Sequence, residues 1–213
     1  MIRHSDYFHG SDLEVIEKIY GIKKENIISF AANVNPLGIS PKLRRTLSER
    51  IDSIMSYPDR DYTSLRRQIS AYVGADMEDI IVGNGSTELI SLFIQIMHPK
   101  KALIVGPTYS EYEREVSLGG GCSLYYRLEE ENGFQIDIRS LEKELNLDVD
   151  LLVICNPNNP TSSAITAGDM REILDICKKK GIYVMVDETY VEFAEDLESI
   201  TCISLTTIYH NIV

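Results

Sequence analysis

The strongest constraint on this chain is an alternation that begins near residue 80. Short apolar, β-rich runs at 80–82, 102–105, 123–128, 151–154 and 183–186 are separated by segments with helical spacing at 86–97, 110–118, 139–145 and 167–180. A strand that returns to its sheet through a helix runs parallel to its predecessor by a right-handed crossover. The expected fold is therefore α/β: a three-layer α/β/α arrangement around a mostly parallel sheet. Ahead of the alternation, residues 13–20 carry apolar side chains at helical spacing, with Ser11 or Asp12 as cap and Gly21 as stop. Ile27-Ile28-Ser29-Phe30 reads as a short strand, and Asn33 to Gly38 has turn chemistry. A helix is expected after Ser40-Pro41, broken at Tyr57-Pro58-Asp59, and another over 63–73 before Gly74.

A formal net charge of −12 and pI near 4.8 argue against nucleic acid or an anionic membrane as partner, since neither attracts an acidic surface. A small soluble ligand fits better. No run approaches the roughly 20 apolar residues of a membrane helix, and the start lacks the apolar core of a signal peptide. A cytoplasmic location is expected. Cys122, Cys155, Cys177 and Cys202 form no C-x-x-C pair, and His4, His9, His98 and His210 lack metal-ligand spacing. Reduced, buried thiols and no metal site are expected.

Ligands of open α/β sheets collect at the carboxyl ends of the strands. Four of the five runs end there in chemically marked loops. Gly83-Asn84-Gly85-Ser86-Thr87-Glu88 opens a helix, where free N–H groups and the helix dipole favour a phosphate; the plainer alternative is a turn with Ser86 as N-cap. Gly106-Pro107-Thr108-Tyr109 offers an aromatic that can stack on a planar ring or simply pack on its loop. Asn156-Pro157-Asn158-Asn159-Pro160-Thr161 is either a self-bonded turn or a rigid amide donor. Val184-Met185-Val186-Asp187-Glu188-Thr189-Tyr190 ends a core strand in a carboxylate, which needs a cation or hydrogen bonds in compensation. Together these supply a phosphate cradle, a stacking aromatic, an amide and a carboxylate. A phosphorylated, hydroxylated pyridinium requires that set.

The ordered motifs N-x-N-P-L-G, Y-P-D, G-N-G-S-T-E, G-P-T-Y, N-P-N-N-P-T and D-E-T-Y resemble those of fold-type I pyridoxal-phosphate enzymes. The likeness is to the class I/II aminotransferases, in the branches of the histidinol-phosphate aminotransferases and L-threonine-O-3-phosphate decarboxylases. It runs from His9 nearly to the end, and His9-Gly10 with residues 30–36 leans toward the decarboxylase branch. The resemblance implies pyridoxal 5′-phosphate as cofactor. It implies that Gly85, Ser86 and Thr87 bind the phosphate, that Tyr109 stacks on the ring, and that Asn159 and Tyr190 bond its 3′-oxygen. Asp187 would pair with the pyridinium nitrogen. Tyr57 would reach the phosphate of a neighbouring subunit, which implies a homodimer, and Asn33, Asn35 and Gly38 would lie near an amino substrate. Residues 1–40 would be an arm belonging to the small domain, and 41–213 part of the cofactor-binding large domain.

Two features depart from that pattern. Ser162 stands where the family has glycine, and no lysine follows Lys180, so neither the family's Schiff-base lysine nor its carboxylate-binding arginine is in this sequence. Lys178, Lys179 and Lys180 read instead as a helix end whose cations complement the dipole. The last residues, 204–213, read as entering a further strand, which leads us to expect a fragment of the family fold, unable to catalyse alone, with Ile80 to Val82 short of a neighbour. Activity as an aminotransferase is the first expectation and decarboxylation of a phosphorylated amino acid the second. A non-catalytic cofactor-binding or interaction module is a third, and a nucleotide-binding α/β protein rests on the glycine loop alone.

Overall fold

The computed structural model describes residues 12–146 and 148–213; His4, His9 and Gly10 fall outside them. The chain divides into two compact units, Met1–Pro58 and Asp59–Val213.

In the first unit, helix α1 (Leu13–Tyr20) begins where the Asp12 carboxylate accepts the Val15 N–H and ends at Gly21 in the left-handed conformation. Helix α2 (Pro41–Glu49) is capped by Ser40, whose hydroxyl accepts from Leu43, and proline opens its first turn. The strand expected at 27–30 does not form. A 3-10 turn at Lys24–Asn26 leads into extended chain with no pairing partner among the described residues, and Phe30 is 93% exposed.

In the second unit, helix α3 (Thr63–Val73) follows Tyr62 in the left-handed conformation, and the Thr63 N–H donates to the Asp59 carboxylate at 2.8 Å. The Arg66 guanidinium ties that helix to the carbonyl of Met77. The remaining elements alternate: α4 (Ser86–Met97), β1 (Lys101–Gly106), α5 (Glu111–Leu118), β2 (Cys122–Arg127), α6 (Ile138–Glu144), β3 (Leu151–Cys155), α7 (Ala167–Lys180), β4 (Tyr183–Asp187) and the short α8 (Leu197–Ile200). All strand pairs are parallel, in the order β2-β1-β3-β4. Period-two alternation sends each strand's side chains to opposite faces. Leu103, Val105, Leu152, Ile154 and Val184 pack toward α6 and α7, whereas Ala102, Ile104, Leu151, Val153 and Met185 pack toward α4 and α5. The three-layer expectation holds.

Beyond β4 the chain returns to the sheet after a 3-10 segment. Val184 bridges Ile212, and Val213 both donates to the Val184 carbonyl and accepts from Val186. The expected strand at 80–82 is absent. Its residues follow a 3-10 turn, Met77–Asp79, and have no ladder partner among the described residues; Ile81 is 76% exposed. Apolar, β-branched composition makes a strand only where a neighbour supplies hydrogen bonds.

Candidate active site

Because β1, β3 and β4 are adjacent and parallel, the loops after them leave one edge of the sheet. Asp187 is the last residue of β4, in register with Cys155 of β3, and its carbonyl accepts the Asn156 N–H at 2.8 Å. Its carboxylate is met on both oxygens. Tyr112 Oη donates to Oδ2 at 2.7 Å, while the Thr189 N–H (2.9 Å) and hydroxyl donate to Oδ1. Every one of these donors is neutral, and Asp187 forms no ion pair among the described residues. The carboxylate is thus oriented by hydrogen bonds while its charge is left for an incoming cation.

Tyr112 is fully buried on α5. Burial, reinforced by the charge of Asp187, pushes its phenol well above the ordinary tyrosine range, so it remains a donor. The half-buried ring of Tyr109 meets it edge-on, with centroids 5.6 Å apart and planes at 85°. The expected stacking residue and the expected counter-ion are therefore joined through Tyr112, which the sequence reading did not single out. No local signal marked it, because the carboxylate it bonds lies 75 residues away. Thr189 was also missed, although a hydroxyl residue two positions after an aspartate invites the local bond it makes.

Between the ends of β3 and β4, Asn156 and Asn158 are buried. Asn156 holds residues 165 and 200: its Nδ2 donates to the carbonyls of Ile165 and Ile200, and its Oδ1 accepts from Ile165. Asn159 is half-buried, and its carboxamide makes no hydrogen bond among the described residues. Tyr190 begins the turn after Asp187, its ring 6.2 Å from that of Phe193. That turn is pinned by Glu188, whose carboxylate accepts from Thr201 Oγ1 and the Cys202 N–H.

Helix α4 starts at Gly85, with φ 80° and ψ 167°. That region is open essentially to glycine alone. Gly85 is thus the N-cap and Ser86 the first helical residue, which corrects the alternative reading of Ser86 as cap. Residues 84–88 are exposed, and a β-carbon on Gly85 would meet nothing within 4 Å. Glu88 folds back to accept the Asn84 N–H, so the turn already attracts an anion. Below it, Ile90 and Ile94 share an apolar cluster with Tyr112 and, at its margin, Tyr109.

Tyr57, Asn33, Asn35 and Gly38 belong to the unit Met1–Pro58 and are described there by themselves. Tyr57 is fully exposed, Asn35 Oδ1 accepts the Leu37 N–H at 2.9 Å, and Gly38 has φ 71°. Lys178, Lys179 and Lys180 lie in the last turn of α7, which precedes β4. In a parallel sheet that is the amino edge, opposite Asp187. Lys178 sits over the Tyr209 ring and Lys180 reaches Asn146. No group of three or more His, Cys, Asp or Glu residues able to hold a metal occurs among the described residues.

The donor set suits pyridoxal phosphate: an uncompensated carboxylate for a ring cation, an aromatic face, an amide without a partner, and a glycine-started helix whose first N–H groups have no intrahelical acceptor.

Comparison with known proteins agrees. The family model described as aminotransferase class I and II matches residues 25–212. The chain is 33% identical over 185 residues to a threonine-phosphate decarboxylase of Salmonella typhimurium, spanning 87% of this chain and 50% of that protein. It is 34% identical over 190 residues to histidinol-phosphate aminotransferase 2 of Carboxydothermus hydrogenoformans, spanning 88% and 51%. Among solved structures, the histidinol-phosphate aminotransferase of Clostridium acetobutylicum superposes with a TM-score of 0.76 at 30% identity, over 87% of this chain and 54% of that one. The chain spans about half the length of the curated relatives it matches. It belongs to the aminotransferase class I and II family, whose cofactor is pyridoxal phosphate.

Proposed function

We propose that this chain supplies the cofactor-binding part of a pyridoxal-phosphate-dependent aminotransferase acting on an amino acid or phosphorylated amino compound. The observation that carries this reading is the Asp187 carboxylate, held at the sheet edge by neutral donors alone and linked through Tyr112 to the ring of Tyr109. In the proposed mechanism Asp187 keeps the ring nitrogen protonated. Tyr112 and Thr189 stop the carboxylate from turning away, and Tyr109 covers one ring face. Gly85, Ser86 and Thr87 hold the phosphate, while Asn159 and Tyr190 donate to the 3′-oxygen. When bound, the cofactor supplies an electron sink for a substrate carbanion.

Decarboxylation of a phosphorylated amino acid is the second reading, favoured by the likeness to the Salmonella enzyme. Residues 1–40 are assigned to the small domain and 41–213 to the large one, with Asn33, Asn35 and Gly38 facing substrate. Tyr57 is assigned to the phosphate of a homodimer partner. A cytoplasmic location fits the sequence, and no helix among the described residues is long and apolar enough to cross a membrane.

Absorbance titration with pyridoxal phosphate, followed by borohydride reduction and peptide mapping, tests the reading. Saturable, reversible binding without reduction onto one particular lysine is expected. A single specifically labelled lysine would place an aldimine-forming amine among these 213 residues and overturn the expectation of reversible binding, and no binding at all would sink the cofactor role.

A further inference from the structure

The backbone ladder between β1 and β3 ends at Ile104 and Val153, short of the loops that carry Tyr109 and Asn159. The side chain of Asn158 takes over beyond that point. Only 7% exposed, it donates from Nδ2 to the carbonyl of Pro107 at 2.9 Å and to Thr161 Oγ1 at 2.7 Å. Thr161 Oγ1 in turn shares a hydrogen bond with Ser163 Oγ. The Asn158 N–H donates to the Ser163 carbonyl, and its own carbonyl accepts from Ser162. One amide therefore closes its own loop and also grips the loop of Tyr109, two residues upstream of that ring.

The orientation of the amide is dictated. A carbonyl only accepts, so the nitrogen must face Pro107, and Asn158 Oδ1 is left buried without a donor. An unmade acceptor is costly, and an apolar residue of similar size would avoid that cost while losing both donated bonds. The geometry points to Asn158 as a positioning residue. It braces the Tyr109 loop against the Asn159 loop and fixes the spacing between the stacking ring and the amide donor, without itself touching the cofactor. This inference rests on the cofactor reading above.

The test uses the full 213-residue chain, with pyridoxal phosphate and inorganic phosphate as separate probes. Asn158→Leu is expected to weaken pyridoxal phosphate binding roughly tenfold, about 1.4 kcal/mol, and to leave the affinity for inorganic phosphate unchanged. In a Tyr109→Ala, Asn159→Ala background the same substitution is expected to change affinity less than about twofold, because nothing remains to be aligned. Asn158→Asp, of equal size but without the donor, should behave like the leucine variant and serves if that one does not fold. A tenfold loss that persists in the double-alanine background would overturn the brace, as would no loss in the native background. Failure of the unaltered chain to bind pyridoxal phosphate would overturn both the brace and the cofactor reading.

Discussion

The two halves of the candidate site are built differently. The ring-binding half, Tyr109, Asn159, Asp187 and Tyr190, stands on three adjacent, paired strands and is laced by buried and half-buried side chains: Tyr112 to Asp187, Asn158 to Pro107, Glu188 to Cys202. The phosphate-binding half, Gly85 to Thr87, follows the unpaired run 80–82 and is exposed, held in place by helix α4 on its buried Ile90 and Ile94. Ring recognition is therefore preorganised by tertiary structure, while phosphate recognition depends on one glycine conformation and one helix end.

Asp187→Asn should break the first half most severely. The amide keeps an oxygen for Tyr112 but removes the charge, so pyridoxal phosphate affinity is expected to fall by about 1.5–3 kcal/mol, the worth of a charged hydrogen bond. Thermal unfolding should shift far less, and equal losses in binding and stability would mean that Asp187 is structural. Gly85→Ala attacks the other half. Forcing alanine into that backbone region costs about 1–3 kcal/mol, which should weaken pyridoxal phosphate while leaving dephosphorylated pyridoxal unaffected in a parallel titration. If both ligands suffer alike, the two halves are not separable. Tyr112→Phe should sharpen the contrast by costing the ring half about 1 kcal/mol of cofactor affinity, with no change for inorganic phosphate.

The smallest effect concerns pH. Burial pushes the thiols of Cys177 and Cys202 up to about 12, with the charge of Glu188 adding to the rise at Cys202. A pKa raised in the fold means that the protonated form is favoured there. The stability is therefore full below the unfolded thiol value, near 8.5, and is lost as pH climbs through the window up to about 12. Between pH 8 and pH 9 each thiol should cost about 0.7 kcal/mol. Burial raises the Cys155 thiol as well, so Cys177→Ala should remove about 0.7 kcal/mol of that loss in denaturant titrations and leave the rest; an unchanged slope would show that Cys177 is not part of its source.

The contrast also explains how much could be read from the sequence. Helix α7 was expected over 167–180 and is found there, because both ends are written locally: Thr166 caps Asp169 and Gly181 adopts the left-handed stop. The four paired strands were likewise legible as apolar runs. The runs at 27–30 and 80–82 look the same in composition yet form no strand, since pairing is a property of the neighbour and not of the run. In the site, Asp187, Tyr109 and Gly85 announced themselves by motif. Tyr112 and Asn158 did not, because their partners lie 75 and 51 residues away.

The most direct test of the central claim, that Asp187 is the counter-ion of a ring cation, compares pyridoxal phosphate with an analogue carrying carbon in place of the ring nitrogen. The unaltered chain should prefer the natural cofactor by roughly 10- to 100-fold, corresponding to about 1.5–3 kcal/mol, and Asp187→Asn should abolish the preference. Equal affinity of the unaltered chain for both ligands would contradict the claim.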